Sequence, residues 1–116
     1  MSQENMGIKA FVAGADLEPF RRVKLSAGSG SQVEYAGVDE AFIGITARKA
    51  KSGEHVSVRL LTRGRTFKIE AADAIGVGAS FYGAANGKID AAGVGVQGTA
   101  LEISAADGEI IEAILA

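Results

Sequence analysis

The sequence predicts an all-β protein, a small barrel or compact sandwich of about eight to ten short antiparallel strands behind a flexible N-terminal arm. Three observations predict it. Apolar and polar residues alternate with a period of two in several short runs. Glycine-rich, Asn-Gly and Asp-Gly signals separate those runs. Sixteen glycines, one proline and few aromatics among 116 residues imply many tight turns and small side chains.

The first nine residues are polar and carry no period, so they read as an arm. The first apolar pattern follows at Ile8, Phe11 and Val12. In "RRVKL", Val23 and Leu25 share one face, with Arg22 and Lys24 on the other. "SAGSGS" breaks that pattern, and "QVEYA" resumes it with Val33 and Tyr35 inward. "FIGITARK" places Ile43 and Ile45 on a common face. After the turn "KSGE", "HVSVRLL" alternates cleanly, with Val56, Val58 and Leu60 opposite His55, Ser57 and Arg59. "TFKIEA" alternates through Phe67 and Ile69. "ASFYG" and "GKIDA" flank Asn86-Gly87, a pair suited to a type I′ turn because both central positions there need positive φ. "TALEISA" and "GEIIEAILA" close the chain. Their composition favours helix, but Asp107-Gly108 interrupts them with a hairpin signal, so strands are expected.

The last pair also echoes an earlier one. "GITARKAKSGEHVSVRLL" aligns with "GTALEISAADGEIIEAILA" after one inserted residue, and "LSAGSGSQVEYAG" with "YGAANGKIDAAG". This reads as a weak internal duplication of one hairpin-pair unit. The expected organisation is an arm over residues 1–9 and a single β-domain over 10–116, a length that suits one core.

Charge and composition narrow the function classes. The net charge of -2 supplies no whole-chain attraction to nucleic acid or anionic lipid. The chain has no cysteine and one histidine, His55, which excludes disulfides and the usual Cys/His zinc sites. The N-terminal stretch lacks a basic region followed by a long apolar one, and no apolar run reaches membrane-span length. A soluble protein made in a cytoplasm is expected.

Candidate motifs carry little chemistry. Gly93-Val94-Gly95-Val96-Gln97-Gly98 matches G-x-G-x-x-G, but no helix, second strand and acidic ribose partner follow it as a dinucleotide site needs. It reads as a glycine-rich loop. His55 follows a turn on an outward position, with no serine or cysteine placed beside it. The carboxylates are scattered over turns and outward positions, with no converging pair for acid–base work. No catalytic, metal-binding or cofactor-binding residue is expected, and no enzyme activity. Arg59, Arg63, Arg65 and Lys68 surround one turn, and Arg48, Lys49 and Lys51 precede a neighbouring one. They fit strand-edge guards against aggregation, a patch for an acidic protein surface, or phosphate contacts.

The chain resembles the capsid cement, or head decoration, proteins of tailed bacteriophages from about Ala13 to Ala116. The carriers are "RRVKLSAGSGSQVEYAG", "AFIGITARKAKSGEHVSVRLL", "TFKIEAADAIGVGASFYGAANGKIDAAG" and "GTALEISAADGEIIEAILA". One departure is a final "AILA" where the family usually ends "VLL". The resemblance implies a structural virion protein on the capsid outer surface, stabilising the shell by bridging major capsid subunits, commonly as a homotrimer. It implies no cofactor, no membrane and no nucleic acid. Candidate shell contacts are then Ile8, Lys9 and Phe11 at the arm, with Arg59, Arg63 and Arg65 around the basic turn. The alternative is a small β-barrel module that binds nucleic acid or carbohydrate through the Arg59–Lys68 region.

Overall fold

The computed structural model describes residues 8–61 and 65–115. Their strands are β1 (Ile8–Ala13), β2 (Arg22–Leu25), β3 (Gln32–Tyr35), β4 (Gly44–Thr46) and β5 (His55–Leu60), then β6 (Thr66–Glu70), β7 (Ser80–Gly83), β8 (Ile89–Asp90), β9 (Gly98–Ala100) and β10 (Ile110–Leu115). The C-terminal segment is therefore β rather than helical, with β9 and β10 joined by a bent connection over residues 101–109 that contains the Asp107-Gly108 turn. Gly108 there adopts a φ of 93°, which costs glycine nothing and other residues dearly. The Asn86-Gly87 turn likewise joins β7 to β8 with φ values of 58° and 74°, and the Lys88 N–H donates to the Ala85 carbonyl.

The first five strands close into a barrel in the order β1-β3-β2-β4-β5. All of its pairings are antiparallel except β1–β3. The last five form an open half-barrel in the order β6-β10-β9-β7-β8. Between β6 and β8 there is one parallel bridge, Ala71 to Ile89. The two units share their register. Phe11 faces Val56 in the barrel as Ile69 faces Ile111 in the half-barrel. Val23 faces Gly44 as Phe81 faces Gly98, and Leu25 faces Val33 as Gly83 faces Ile89. Even the isolated bridges correspond, Leu17–Ala50 with Ile75–Ser104.

Each unit has its own core. Phe11, Leu17, Val23, Val33, Val56 and Val58 fill the barrel. Phe67, Ile69, Phe81, Ile89 and Ile111 fill the half-barrel, with the Phe67 and Phe81 rings edge to face at 6.3 Å. Burying one such side chain stabilises by about 1.5–3 kcal/mol. Strict alternation in β5 and β6 produces both sets, since successive side chains point to opposite faces.

Four expectations change. The arm does not extend to Lys9, because Ile8 and Lys9 pair with Arg59 and Val58 inside β1. Ile43 and Ile45 do not share a core. Ile43 packs on the barrel core, whereas Ile45 leaves the barrel and joins the half-barrel core. Arg22 is not on a solvated face but fully buried. Leu25 ends β2 beside a turn and stays 40% exposed. The first three share one cause, which is that pairing partners and a second unit decide what period-two alternation leaves open.

Candidate functional site

A groove forms where the two units meet. In β5 the alternation that buries Val56 and Val58 turns Arg59 outward, and in β6 the alternation that buries Phe67 and Ile69 does the same to Lys68. Both side chains line one groove of about 310 Å³, floored by Phe20, Ile45 and Phe67 and walled by Thr46, Ala47 and Thr66. Glu112 also lines it, directly across the register from Lys68. Among the described residues, Arg59, Arg65 and Lys68 form no ion pair with a carboxylate. The structure thus gathers two of the sequence-predicted basic residues in one place, with exposed Arg65 just before β6. Arg63 lies outside the described residues.

Phe20 shapes this groove from an unusual backbone position, φ 62°, which a bulky residue adopts only when its surroundings hold it there. Its N–H donates to the Thr46 carbonyl in the barrel, and its carbonyl accepts from the Glu70 N–H in the half-barrel. Ile8 stands opposite Arg59 and is 36% exposed. Phe11, by contrast, is a core residue at 4% exposure. Its ring is not available to a partner, which removes it as a candidate contact. Lys9 is exposed at the same strand, its Nζ 5.6 Å from the Phe11 ring centroid.

Behind the groove sits the residue that sequence reasoning missed. Arg22 enters the junction and bonds to both units. Its guanidinium donates to the carbonyls of Ala36, Gly37 and Glu40 from the barrel and of Ala84 and Lys88 from the half-barrel, and to Gln97 Oε1. It also lies 5.5 Å from the Phe42 ring. Burial lowers its pKa to about 10, opposed by the charges of Glu40 and Asp39, so the clamp remains cationic at neutral pH. Among the described residues no carboxylate forms an ion pair with it, and backbone carbonyl dipoles and the Gln97 amide oxygen hold the charge. Such a cage suits the fork of five N–H donors in arginine. Asn86 and Glu70 tie the adjacent Arg21 to the half-barrel as well. The signal available in sequence was two adjacent arginines before a strand, which does not separate a solvated pair from a buried one.

The glycine-rich loop of residues 93–98 feeds β9, a strand rather than a helix. A Cβ at Gly98 would collide with the Ile114 carbonyl and the Phe81 ring, so packing explains that glycine. Val94 and Val96 are exposed at 78% and 49%. They adjoin Phe42 and Asp39, and the Val94 N–H donates to Asp39 Oδ1. Among the described residues, no cluster of three or more His, Asp or Glu side chains could hold a metal ion. His55 is exposed at the start of β5. The molecule offers contact surfaces: a basic groove, exposed valines on the loops, and an apolar rim described below.

A family model described as phage cement protein matches residues 3–115. The chain belongs to the phage cement protein family. This makes it a structural protein of the phage capsid. A solved structure of similar fold is the head fiber gp8.5 N base in bacteriophage phi29, with a TM-score of 0.81 and 15% identity over 94% of this chain and 92% of that one. At that identity the likeness is one of fold. Comparison with curated proteins gives no match.

Proposed function

We propose that the protein decorates the outer surface of an assembled capsid as a homotrimer and stabilises the shell by bridging neighbouring major capsid subunits. The family match over residues 3–115 carries this reading. The fold supports it. Two packed units clamped by Arg22 form a body suited to bearing load; exposed Ile8 and Arg59 share one face of the β1–β5 pair, exposed Lys9 lies on the other face of β1, and exposed Arg65 just before β6. Of these, Ile8 and Lys9, with Arg63, are the proposed shell contacts, and Arg59 and Arg65, at the groove, are left to a contact between copies. Residues 1–7 act as an accessory arm that adds an extended segment to a shell subunit by backbone pairing. Ordering it costs roughly 1–2 kcal/mol per residue, so it contributes only when the body is already seated. A trimer supplies three such contacts at once and gains avidity without a tight single site.

The test is co-sedimentation of purified protein with shells that lack it, followed by thermal challenge of the shells. Binding at discrete surface sites with a raised shell melting temperature is the expected result. Failure to bind, with salt-dependent retention on single-stranded DNA instead, would replace this reading with that of a nucleic-acid module. Deleting Ser2–Gly7 should leave the melting of the free protein unchanged and weaken shell binding, since β1 begins at Ile8. Full binding by the deletion variant would show the arm to be dispensable.

A further inference from the structure

Charge is divided unequally between the two units. Residues 1–65 hold ten Lys and Arg against seven Asp and Glu, whereas residues 66–116 hold two against seven. The acidic excess collects at one end of the half-barrel. There Asp73, Glu102 and Glu109 are exposed and, among the described residues, pair with no cation. Asp107 is partly neutralised by Lys88 at 2.9 Å. The same end exposes apolar side chains: Val77 at 67%, Leu101 at 39%, Ile103 at 64% and Ile110 at 45%. The Ile75–Ser104 bridge brings the segment carrying Val77 alongside the one carrying Leu101 and Ile103. This rim has the opposite composition to the groove, where Arg59 and Lys68 overhang a floor of Phe20, Ile45 and Phe67.

We propose that the groove of one copy receives the acidic rim of a second copy, with Ile103 on the apolar floor and Glu102 and Glu109 against Arg59, Lys68 and Arg65. The contact is heterologous, groove to rim, so a rotation that closes yields a ring. It specifies the interface of the trimer proposed above and rests on that reading. Glu112 is the one carboxylate lining the groove, against the two cations Arg59 and Lys68, so the groove keeps a basic excess for the incoming acid. Opposed charges of this kind set register and suppress wrong pairings.

Charge reversal tests it. Glu102→Lys/Glu109→Lys alters the rim, Arg59→Glu/Lys68→Glu alters the groove, and a four-site variant carries both. Each is followed by sedimentation velocity over a range of concentration and salt, and by decoration of empty shells. The expected result is a self-associating parent, with each double reversal raising the dissociation constant at least about tenfold and the four-site variant regaining association. Because the chain has no cysteine, a mixture of Ala47→Cys and Ile103→Cys single variants can cross-link only between copies, and should do so under association and not in the dissociated double reversals. Undiminished trimers in both reversals overturn the groove-to-rim contact and leave the trimer reading intact. Monomers in the parent, both free and on shells, overturn both. Normal trimers that no longer decorate shells after groove reversal also overturn the proposal, and assign the groove to a capsid segment.

Discussion

Replacing Arg22 with methionine removes the cation and its five donors while keeping an unbranched side chain beside Phe42. The cost follows from what each carbonyl retains. The Ala36 carbonyl still accepts from the Gly87 N–H, that of Gly37 from the Glu40 N–H, and that of Lys88 from the Ala84 N–H. The Glu40 carbonyl still accepts from Gln97 Nε2 at 2.7 Å. Of the backbone carbonyls only that of Ala84, which takes the shortest bond at 2.6 Å, has no second partner among the described residues; Gln97 Oε1 also loses its donor but is half-buried. A stranded buried acceptor costs about 1–3 kcal/mol, and losing charge-assisted bonds to the other four adds to that. Against this, methionine pays no desolvation of the kind that lowers the Arg22 pKa. The net expectation is a loss of about 3 kcal/mol, near the lower end for breaking a buried charge network. For a chain of this length that is roughly a 12 °C fall in melting temperature. Urea unfolding of the parent, Arg22→Met and the exposed control Arg59→Met measures it. A loss below about 1 kcal/mol for Arg22→Met would refute the reasoning, since the cage would then do no more than repay the burial of its own charge.

Other perturbations follow from the same geometry. Gly98→Ala should destabilise by about 3 kcal/mol or more, because its Cβ meets the backbone of β10 and the Phe81 ring; a variant that melts like the parent would contradict the packing. Gly83→Ala should displace the guanidinium, whose atoms lie 2.9–3.1 Å from the added carbon, and the combination with Arg22→Met should be far less than additive in a double-mutant cycle. The Lys24 bond depresses the pKa of Glu40 below its ordinary 4.5, and the Lys88 bond depresses that of Asp107 below 3.8. Their contributions are complete above those ordinary values and vanish as pH falls through the lower folded ones. The same bonds raise Lys24 and Lys88 above 10.5, so those terms hold below 10.5 and fade as pH rises through the folded values. Thermal melts across pH should show the acid-side loss, and Asp107→Asn should reduce it.

Inward faces were readable where one face met a core and the other met water. β5 and β6 satisfy that condition, and their alternation names Val56, Val58, Phe67 and Ile69 correctly. The Asn-Gly and Asp-Gly turns were readable because their backbone geometry selects the residues. Reading failed where a strand has two buried faces. Arg22 points away from the barrel interior, as alternation with Val23 requires, and its register partner Ile45 shares that face although Ile43 does not, yet a second unit covers that exterior. Nothing in a local pattern reports a partner supplied by residues 60 positions later. The site was half legible for the same reason. The basic cluster showed in composition, but the groove needs Phe20 and Glu112, which come from distant parts of the chain.

The matched registers give Arg22 a counterpart in Ser80, and Ile45 a counterpart in Thr99. The residues on which the junction depends thus occur in one unit and not in the other. Had the units been separate copies of one gene product, each would have carried the same residue at each position, and a contact this lopsided would have left every molecule with an unused half, open to the next. Linked in one chain, the halves can diverge. One becomes plug and the other socket, and the socket is filled once. Linkage in one chain turns a contact that could propagate into one that ends within the molecule, and the remaining surfaces are left to choose their neighbours independently.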